Sequence, residues 1–464
     1  MNILLAKPII EKEKRVNAVP PLGLGYLASA LRKDNDVSVV DCELLGYDAE
    51  AFARHIRREQ PGLIGMTVFS HNKKCVQESI SVIRNAVPEA IIVLGGPHIN
   101  ARGANVLKGF SGVDYAVRGE AEESIVLLAD IIKNRKYDQL GKVPGLVYMD
   151  REGRINETPN VFLDDISRFD PIPYDLLNIR DYFGRVPHGF FCRHKELVSI
   201  ITSRGCPYPC TFCSGAVNNG KKVRYRRLEN VMAEIELLAG KYGVREIHII
   251  DDNFTFSKEY ALKFCEEVIS RKFSLDFALP NGIRLDKIDD ELLATMRRAG
   301  FYAISFGIES GSDETLRKIK KLETTDFVMK QVTLAKKHGF LITGLFIIGF
   351  PWETKDDVET TLRFAKSLPL DHASFGNFVP LPATEITEDL IKAGELPEDY
   401  EVPFIWGDIT YSPPGIRADE LKKLQRRCVF EFYFPGRIHM LLANIKLSNI
   451  MHLFRRALLL FVGK

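Results

Sequence analysis

No charge of either sign dominates this sequence. Its 464 residues carry 63 Lys and Arg against 61 Asp and Glu, a net charge of +2, so the bulk electrostatic footprint of a nucleic-acid-binding chain is missing. A local basic run, Lys221-Lys-Val-Arg-Tyr-Arg-Arg227, reads as a solvated loop face or an anion contact. No apolar stretch approaches the ~20 residues needed to span a bilayer. The chain opens on an apolar strand, Met1 to Pro8, with no basic region, long apolar core and small-residue cleavage site. A cytoplasmic protein is the expectation. Cysteine is sparse, and Cys42, Cys75, Cys192, Cys265 and Cys428 are scattered, which suits small core side chains in a reducing compartment better than a disulfide framework. No histidine precedes His55.

Against that background three cysteines stand close together. Cys206, Cys210 and Cys213 lie in Ser203-Arg-Gly-Cys-Pro-Tyr-Pro-Cys-Thr-Phe-Cys-Ser-Gly215, a C-x-x-x-C-x-x-C spacing. Structural zinc and ordinary electron-transfer clusters normally take four protein ligands, so three thiolates point to an iron-sulfur cluster with one iron open to a small molecule. Zinc completed by a distant residue is the alternative. Pro207, Pro209, Gly205 and Gly215 break any regular helix here and favour a loop that wraps a ligand.

The rest of the chain alternates strands and helices. A hydrophobic content of 45% over this length fits two or three packed domains. Residues 1–140 read as a doubly wound, flavodoxin-like parallel sheet with strands near Ile3–Ala6, Val37–Asp41, Leu63–Val68, Ile91–Leu94 and Tyr115–Val117. Residues 141–195 read as a proline- and aspartate-rich connector. From 196 to 410 six longer units, with strands at Leu197–Thr202, Glu246–Ile250, Leu275–Leu279, Ala303–Gly307, Ile342–Ile348 and Ala373–Phe378, predict a partial six-stranded β/α barrel. Asp289 is a candidate helix cap. Residues 411–464 read as a C-terminal helical segment, with Phe430, Phe432, Tyr433 and Phe434 taken as core. Phe454-Arg-Arg-Ala-Leu-Leu-Leu-Phe-Val462 reads as a helix packed on the barrel or an amphipathic surface anchor that would suit a lipid substrate.

The cysteine spacing, with Phe212 just before the third cysteine, resembles the radical S-adenosylmethionine superfamily, whose [4Fe–4S] cluster motif it matches. Later strand ends agree in order. By this resemblance Asp251 and Asp252 would hold the amino group of S-adenosylmethionine, with helix capping as the plain alternative. Arg284, also among the implied cofactor contacts, would clamp a carboxylate by a bidentate pair or make a surface ion pair. Glu309 and Ser310 in Gly307-Ile-Glu-Ser-Gly-Ser312 would meet its ribose, and Ile347 and Gly349 its adenine. The first 140 residues resemble the cobalamin-binding domain of one branch of these enzymes, through Pro20-Pro-Leu-Gly-Leu-Gly-Tyr-Leu-Ala28, Gly95-Gly-Pro-His98 and Arg118-Gly-Glu-Ala-Glu122. Thr67, Ser70, Gly95, Gly96, His98, Gly119 and Glu120 are the implied contacts. The D-x-H-x-x-G motif that offers a histidine to cobalt is replaced by Lys7-Pro-Ile-Ile-Glu-Lys-Glu13, so the lower face of a bound cobalamin would lack that ligand. His71 is a candidate for reaching cobalt and, more simply, a loop hydrogen-bonding residue.

What the resemblance implies is radical chemistry. One electron through the cluster breaks the sulfonium of S-adenosylmethionine, and the 5′-deoxyadenosyl radical takes hydrogen from an unactivated carbon, a task that cofactors carry. In the cobalamin branch a methyl group then reaches that carbon. A C-methylase acting on a small-molecule or lipid substrate, fed by flavodoxin or ferredoxin, is the expected function. An anaerobic oxidative cyclase is the second expectation and a non-catalytic cobalamin or redox sensor the third. A methylthiotransferase is disfavoured because residues 1–140 lack the cysteines of that group's first domain.

Overall fold

The computed structural model describes residues 1–10, 19–169, 171–185, 188–402 and 409–437. Alternation along the first strand, β1 (Asn2–Lys7), sorts two cores. Ile3 and Leu5 pack to one side, Leu4 and Ala6 to the other, and all four are fully buried, as a parallel strand covered by helices on both faces requires. Around it lie β2 (Asp36–Asp41), β3 (Leu63–Thr67), β4 (Ile91–Gly95) and β5 (Tyr115–Val117), all parallel, in the order β2-β1-β3-β4-β5. That is the flavodoxin-like order, which gathers ligands at the carboxyl ends of the strands.

The sheet does not stop at residue 140. Antiparallel β6 (Leu146–Met149) and β7 (Ile155–Glu157) extend it to seven strands, so the first part of the expected connector completes the first sheet. The physical reason is the edge of β5, whose backbone groups would otherwise be unpaired.

The second sheet starts at β8 (Leu197–Ile200). A small ribbon follows, β9 (Ser203–Arg204) paired antiparallel with β10 (Arg224–Tyr225). Then come β11 (Glu246–Ile249), β12 (Asp276–Ile283), β13 (Phe301–Glu309), β14 (Leu341–Ile348) and β15 (His372–Asn377), giving six parallel strands ordered β15-β14-β13-β12-β11-β8. This is the partial barrel. Asp289 caps the helix Asp290–Arg298 by accepting from the Leu292 amide. The helix Ala418–Tyr433 packs on β15 and on the helix Lys355–Ser367, with Leu421, Cys428, Phe432 and Tyr433 buried in the barrel's core. Phe430 and Phe434 instead stack on one another at 5.1 Å and remain half exposed, which corrects the expectation that all four aromatics are core. The run Phe454–Val462 lies outside the described residues. Among the described residues no helix is long and apolar enough to cross a membrane.

The two halves share a core. On the helix Leu22–Leu31, Leu24, Ala28 and Leu31 face the first sheet, whereas Leu22 and Tyr26, one turn apart on another stripe, pack into the barrel's hydrophobic cluster. A side chain at Gly25 would not fit, because its Cβ would lie 2.7 Å from Ile172 Cγ2. Gly25→Val should therefore lower stability by about 1–3 kcal/mol and shift one cooperative unfolding transition of the whole protein in calorimetry. Two transitions, of which only one moves, would show that the cores melt separately.

Candidate active site

The cysteine loop begins where β8 ends, at the carboxyl side of the barrel. Gly205 adopts φ +99°, and its amide donates to Asp252 Oδ2 at 3.1 Å. The Cys206 amide donates to the Gly220 carbonyl at 3.1 Å and the Gly215 amide to Cys213 Sγ at 3.3 Å. Withdrawal from water raises all three thiols above their ordinary value, and at Cys206 and Cys213 the neighbouring thiols add to the rise.

Both aspartates face this loop, with different tasks. Asp251 is buried and accepts from the Thr202 amide, Thr202 Oγ1 and Ser203 Oγ, each at 2.6 Å. Burial pushes its carboxyl up to about 6 against those bonds. The structure thus uses Asp251 to staple the start of the cysteine loop rather than leaving it open to an amino group. Asp252 accepts from Asn219 Nδ2 at 2.9 Å as well as from Gly205.

Next to the loop sits a buried charged pocket. Arg284 lies 3.8 Å over the Tyr208 ring, donates from Nε to Asp286 at 3.1 Å and from Nη2 to the Lys321 carbonyl at 2.7 Å. Tyr208 donates to Asp286 at 3.0 Å, and the Thr211 amide donates to the Ile319 carbonyl at 3.2 Å. These bonds tie the cysteine loop to the pocket. Glu309, at φ +70°, meets Lys321 Nζ at 3.1 Å. Burial lowers the Lys321 ammonium pKa, but Glu309 and Glu323 raise it further, leaving it above its ordinary value. Ser310 is fully buried and bonded to Thr361 Oγ1 at 3.3 Å and the Ser312 amide at 3.2 Å, so its hydroxyl supports the turn instead of facing a ribose.

An apolar wall completes this side. Phe212 and Ile347 pack together against Leu316, Ile319, Phe350 and Phe378. Gly349 has φ +84°, and its close approach is to Leu421, whose Cδ2 would lie 2.7 Å from an added Cβ. The glycine therefore makes room for the C-terminal helix rather than for a ligand. Its amide and that of Phe350 donate to Glu353 Oε2 at 2.7 and 3.1 Å.

In the first domain, Thr67, Ser70, Gly95, Gly96 and His98 come together at the carboxyl ends of β3 and β4. Gly96 has φ +102°, and a Cβ there would lie 2.8 Å from Thr67 Cγ2 and 3.0 Å from the Val68 carbonyl. Ser70 Oγ and His98 Nδ1 are 3.1 Å apart. Burial first, then Arg102 and Lys73, push His98 down to about 4. His71 stacks on Phe69 at 5.5 Å. Gly119 donates its amide to Asn100 Oδ1 at 2.7 Å. Glu120 is buried, accepts from the Leu163 amide at 2.6 Å and pairs with Arg204 at 3.2 Å and with Arg224. These two residues hold protein to protein, unlike the expected cofactor contacts. The helix Pro97–Arg102 touches the helix Gly215–Asn219 that follows the third cysteine, with Asn100 Nδ2 3.4 Å from Asn218 Oδ1. The two candidate loops thus abut.

Comparison with known proteins agrees with this division. Residues 200–365 match the radical SAM superfamily and residues 12–129 the B12 binding domain. An uncharacterised methyltransferase of Pyrococcus horikoshii is 31% identical over 448 residues, covering 94% of each chain. The anaerobic magnesium-protoporphyrin IX monomethyl ester cyclase of Cereibacter sphaeroides is 28% identical, over 80% of this chain and 60% of its own. In fold, the radical S-adenosylmethionine methyltransferase TsrM of Kitasatospora setae, solved with cobalamin and a [4Fe–4S] cluster, aligns over 97% of this chain and 92% of its own with a TM-score of 0.72 at 20% identity. The chain belongs to the radical S-adenosylmethionine superfamily, in the branch that carries a B12 binding domain. The cofactors of such an enzyme are a [4Fe–4S] cluster, S-adenosylmethionine and cobalamin.

The residues present fit these groups. Three thiols withdrawn from water, two of which are raised further by a neighbouring thiol, suit a shared cationic partner. Among the described residues no three His, Cys, Asp or Glu side chains close around a single ion; a cubane puts each thiolate on a different iron and needs a wider spacing. At Gly95 the nearest atom to an added Cβ is the Val117 carbonyl at 3.7 Å, an ordinary contact distance, so with Gly96 beside it this strand end presents bare backbone. Lys321 and Glu323 escaped the sequence reading, since Lys320-Lys-Leu-Glu323 looks like an exposed charged loop. The only outward sign is conformational, φ +54° at Lys320 and +60° at Leu322.

Glu353 generates a pH prediction. Burial pushes its carboxyl from the ordinary 4.5 up to about 7, so the native state holds a proton that the unfolded chain releases. Its contribution is therefore fully present below about 4.5 and is lost as pH rises through about 7, by about 3 kcal/mol. Glu353→Gln should flatten the denaturation free energy across that window; an unchanged slope would contradict the assignment.

Proposed function

We propose that this protein is a cobalamin-dependent radical S-adenosylmethionine methylase that methylates an unactivated carbon of a small-molecule or lipid substrate held between its two cofactor sites. The observation that carries this reading is the meeting of the two loops at Asn100 and Asn218. When bound, the cofactors supply homolytic cleavage, hydrogen abstraction and methyl transfer, chemistry beyond any side chain. The protein supplies binding, orientation and exclusion of water. Cys206, Cys210 and Cys213 would hold the cluster through three irons, leaving one open. Asp252, Arg284 and Glu309 would face S-adenosylmethionine, with Phe212 and Ile347 as the apolar wall. Thr67, Ser70, Gly95, Gly96 and His98 would border cobalamin, His98 as a neutral hydrogen-bonding group.

The relatives' names support methylation more than ring closure, and the likeness to a cyclase keeps that reaction as the second reading. A reducing cytoplasm with flavodoxin or ferredoxin as electron donor suits the chemistry. The test is anaerobic reconstitution with iron, sulfide and hydroxocobalamin, followed by reduction in the presence of S-adenosylmethionine. Bound cobalamin with both 5′-deoxyadenosine and S-adenosylhomocysteine supports the methylase. 5′-Deoxyadenosine without S-adenosylhomocysteine favours the cyclase, and neither product favours a sensor. In the same assay Cys210→Ala should lose at least about 100-fold in 5′-deoxyadenosine formation, because an incomplete thiolate set cannot hold the cluster; undiminished formation would defeat the cluster assignment.

A further inference from the structure

A cluster in the cysteine loop needs an electron from outside. Tyr208, Phe212 and the helix Gly215–Asn219 turn parts of the loop toward the Arg284 pocket, the apolar wall and the first domain, so a protein donor needs another approach. The segment after that helix offers one. Lys221 and Lys222 are exposed, and the backbone around them touches the loop. The Gly220 carbonyl accepts from the Cys206 amide at 3.1 Å, and Gly205 packs so closely on the Lys222 carbonyl that an added Cβ would clash. From Lys221 to a candidate cluster ligand the path is one peptide unit and one hydrogen bond. Electron tunnelling weakens steeply with distance, so a short bonded path matters.

The same surface is shaped. A cavity of about 300 Å³ opens there, lined by Phe162 and Asp164 of the connector, Ala216 and Gly220 at either end of the helix, and Lys221 and Lys222. Phe162 lies against Gly220, where an added Cβ would be 3.1 Å from the ring, and its neighbour Val161 is 45% exposed. The rim is basic. Five of the seven residues Lys221-Lys-Val-Arg-Tyr-Arg-Arg227 are basic and none is acidic. Arg224 and Arg226 are buried and paired with Glu120 and Glu234, which leaves the two lysines and Arg227 outside. Lys222 lies 2.8 Å from Asp164 and Arg227 3.7 Å from Asp165, all four side chains being more than half exposed. Such pairs are weak and give way readily to another partner. Lys221 has no acidic partner among the described residues.

An apolar patch with a lysine rim suits an electron-transfer encounter, whose interface is small and whose charges steer approach more than they add affinity. The rim attracts an acidic surface, and the Phe162 side accepts the bare edge of a flat ring system better than a polar loop. We propose that Lys221, Lys222 and the Phe162 cavity are the docking surface for an acidic flavodoxin-type electron donor. In the complex the donor's anionic flavin hydroquinone loses one electron and the cluster gains it, with no bond in this chain formed or broken. This rests on the radical S-adenosylmethionine reading above.

The test uses the reconstituted holoenzyme and a purified flavodoxin, anaerobically and at low ionic strength. Affinity for the oxidised flavodoxin is read by calorimetry, and the rate of cluster reduction by the hydroquinone by freeze-quench electron paramagnetic resonance. Lys221→Glu combined with Lys222→Glu should weaken binding and slow reduction about tenfold or more, a difference that shrinks as salt is added. Lys221→Arg combined with Lys222→Arg should keep both near the wild type. Reduction by dithionite, which needs no docking, should be unchanged in every variant and, with iron content, reports an intact loop. Should the charge-reversed double variant lose iron, Lys221→Glu alone breaks no ion pair and carries the same direction of effect. No binding of flavodoxin by the wild type, equal behaviour of the charge-reversed variant, or a matching fall with dithionite overturns the docking surface. A ferredoxin whose reduction of the cluster depends on these lysines while that by flavodoxin does not overturns the choice of partner. A fully loaded wild type that dithionite reduces, yet that never forms 5′-deoxyadenosine, overturns the radical reading and with it the purpose of this surface.

Discussion

One buried carboxylate joins the halves of this enzyme. In the ribbon that frames the cysteine loop, Arg204 and Arg224 are directly opposite each other on β9 and β10. Like charges in that register repel, and both side chains are largely withdrawn from water. Glu120 of the first domain lies between them and pairs with both, and Glu122 adds a second contact to Arg204 at 2.8 Å. A buried charge left without its partner is strongly unfavourable. The ribbon two residues before Cys206 is therefore stable only when the first domain is seated against it. The cysteine loop and the B12 binding domain are in this sense one folding problem, and the helix Leu22–Leu31, divided between two cores, is its apolar counterpart.

Much of the fold was legible because it rests on local pattern. Short β-branched runs separated by helical periods identified the strands of both sheets, and the three-cysteine spacing pointed to the candidate site. The two strands after residue 140 were not, since Leu146–Met149 and Ile155–Glu157 sit among turn residues and gain their meaning only from the free edge of β5. Residue roles were harder still. Asp251, Ser310, Gly119, Glu120 and Gly349 stand at the strand ends where ligands gather, and a sequence cannot say whether a polar group there faces a ligand or the next loop. That depends on partners such as Thr202, Thr361, Asn100, Arg224 and Leu421, distant in sequence. Conversely, Lys321 looked like one charged loop residue among several, because burial of a lysine leaves no mark on periodicity.

The remaining constraint is that six strands do not close a barrel, so something must fill its amino-terminal end. The chain uses residues 188–194 of the connector. Phe191 packs with Ala278, Tyr302 and Ala303, and Phe190 stacks on His372 at 3.5 Å. A backbone crossing a core must find partners for its amides, and fully buried Glu246 provides them, accepting from the amides of Arg193 and His194 at 2.6 and 2.7 Å. The same carboxylate takes the Tyr302 hydroxyl at 2.6 Å and meets His248 Nε2 at 2.8 Å. His248 Nδ1 in turn faces the His188 carbonyl at 2.6 Å, an acceptor, so that nitrogen carries a proton. With the amino-terminal end filled by this network, access to the barrel interior is left to the carboxyl ends of the strands. That is the side on which the cysteine loop, the Arg284–Lys321 pocket and the first domain converge, and it is where radical chemistry needs protein on every side.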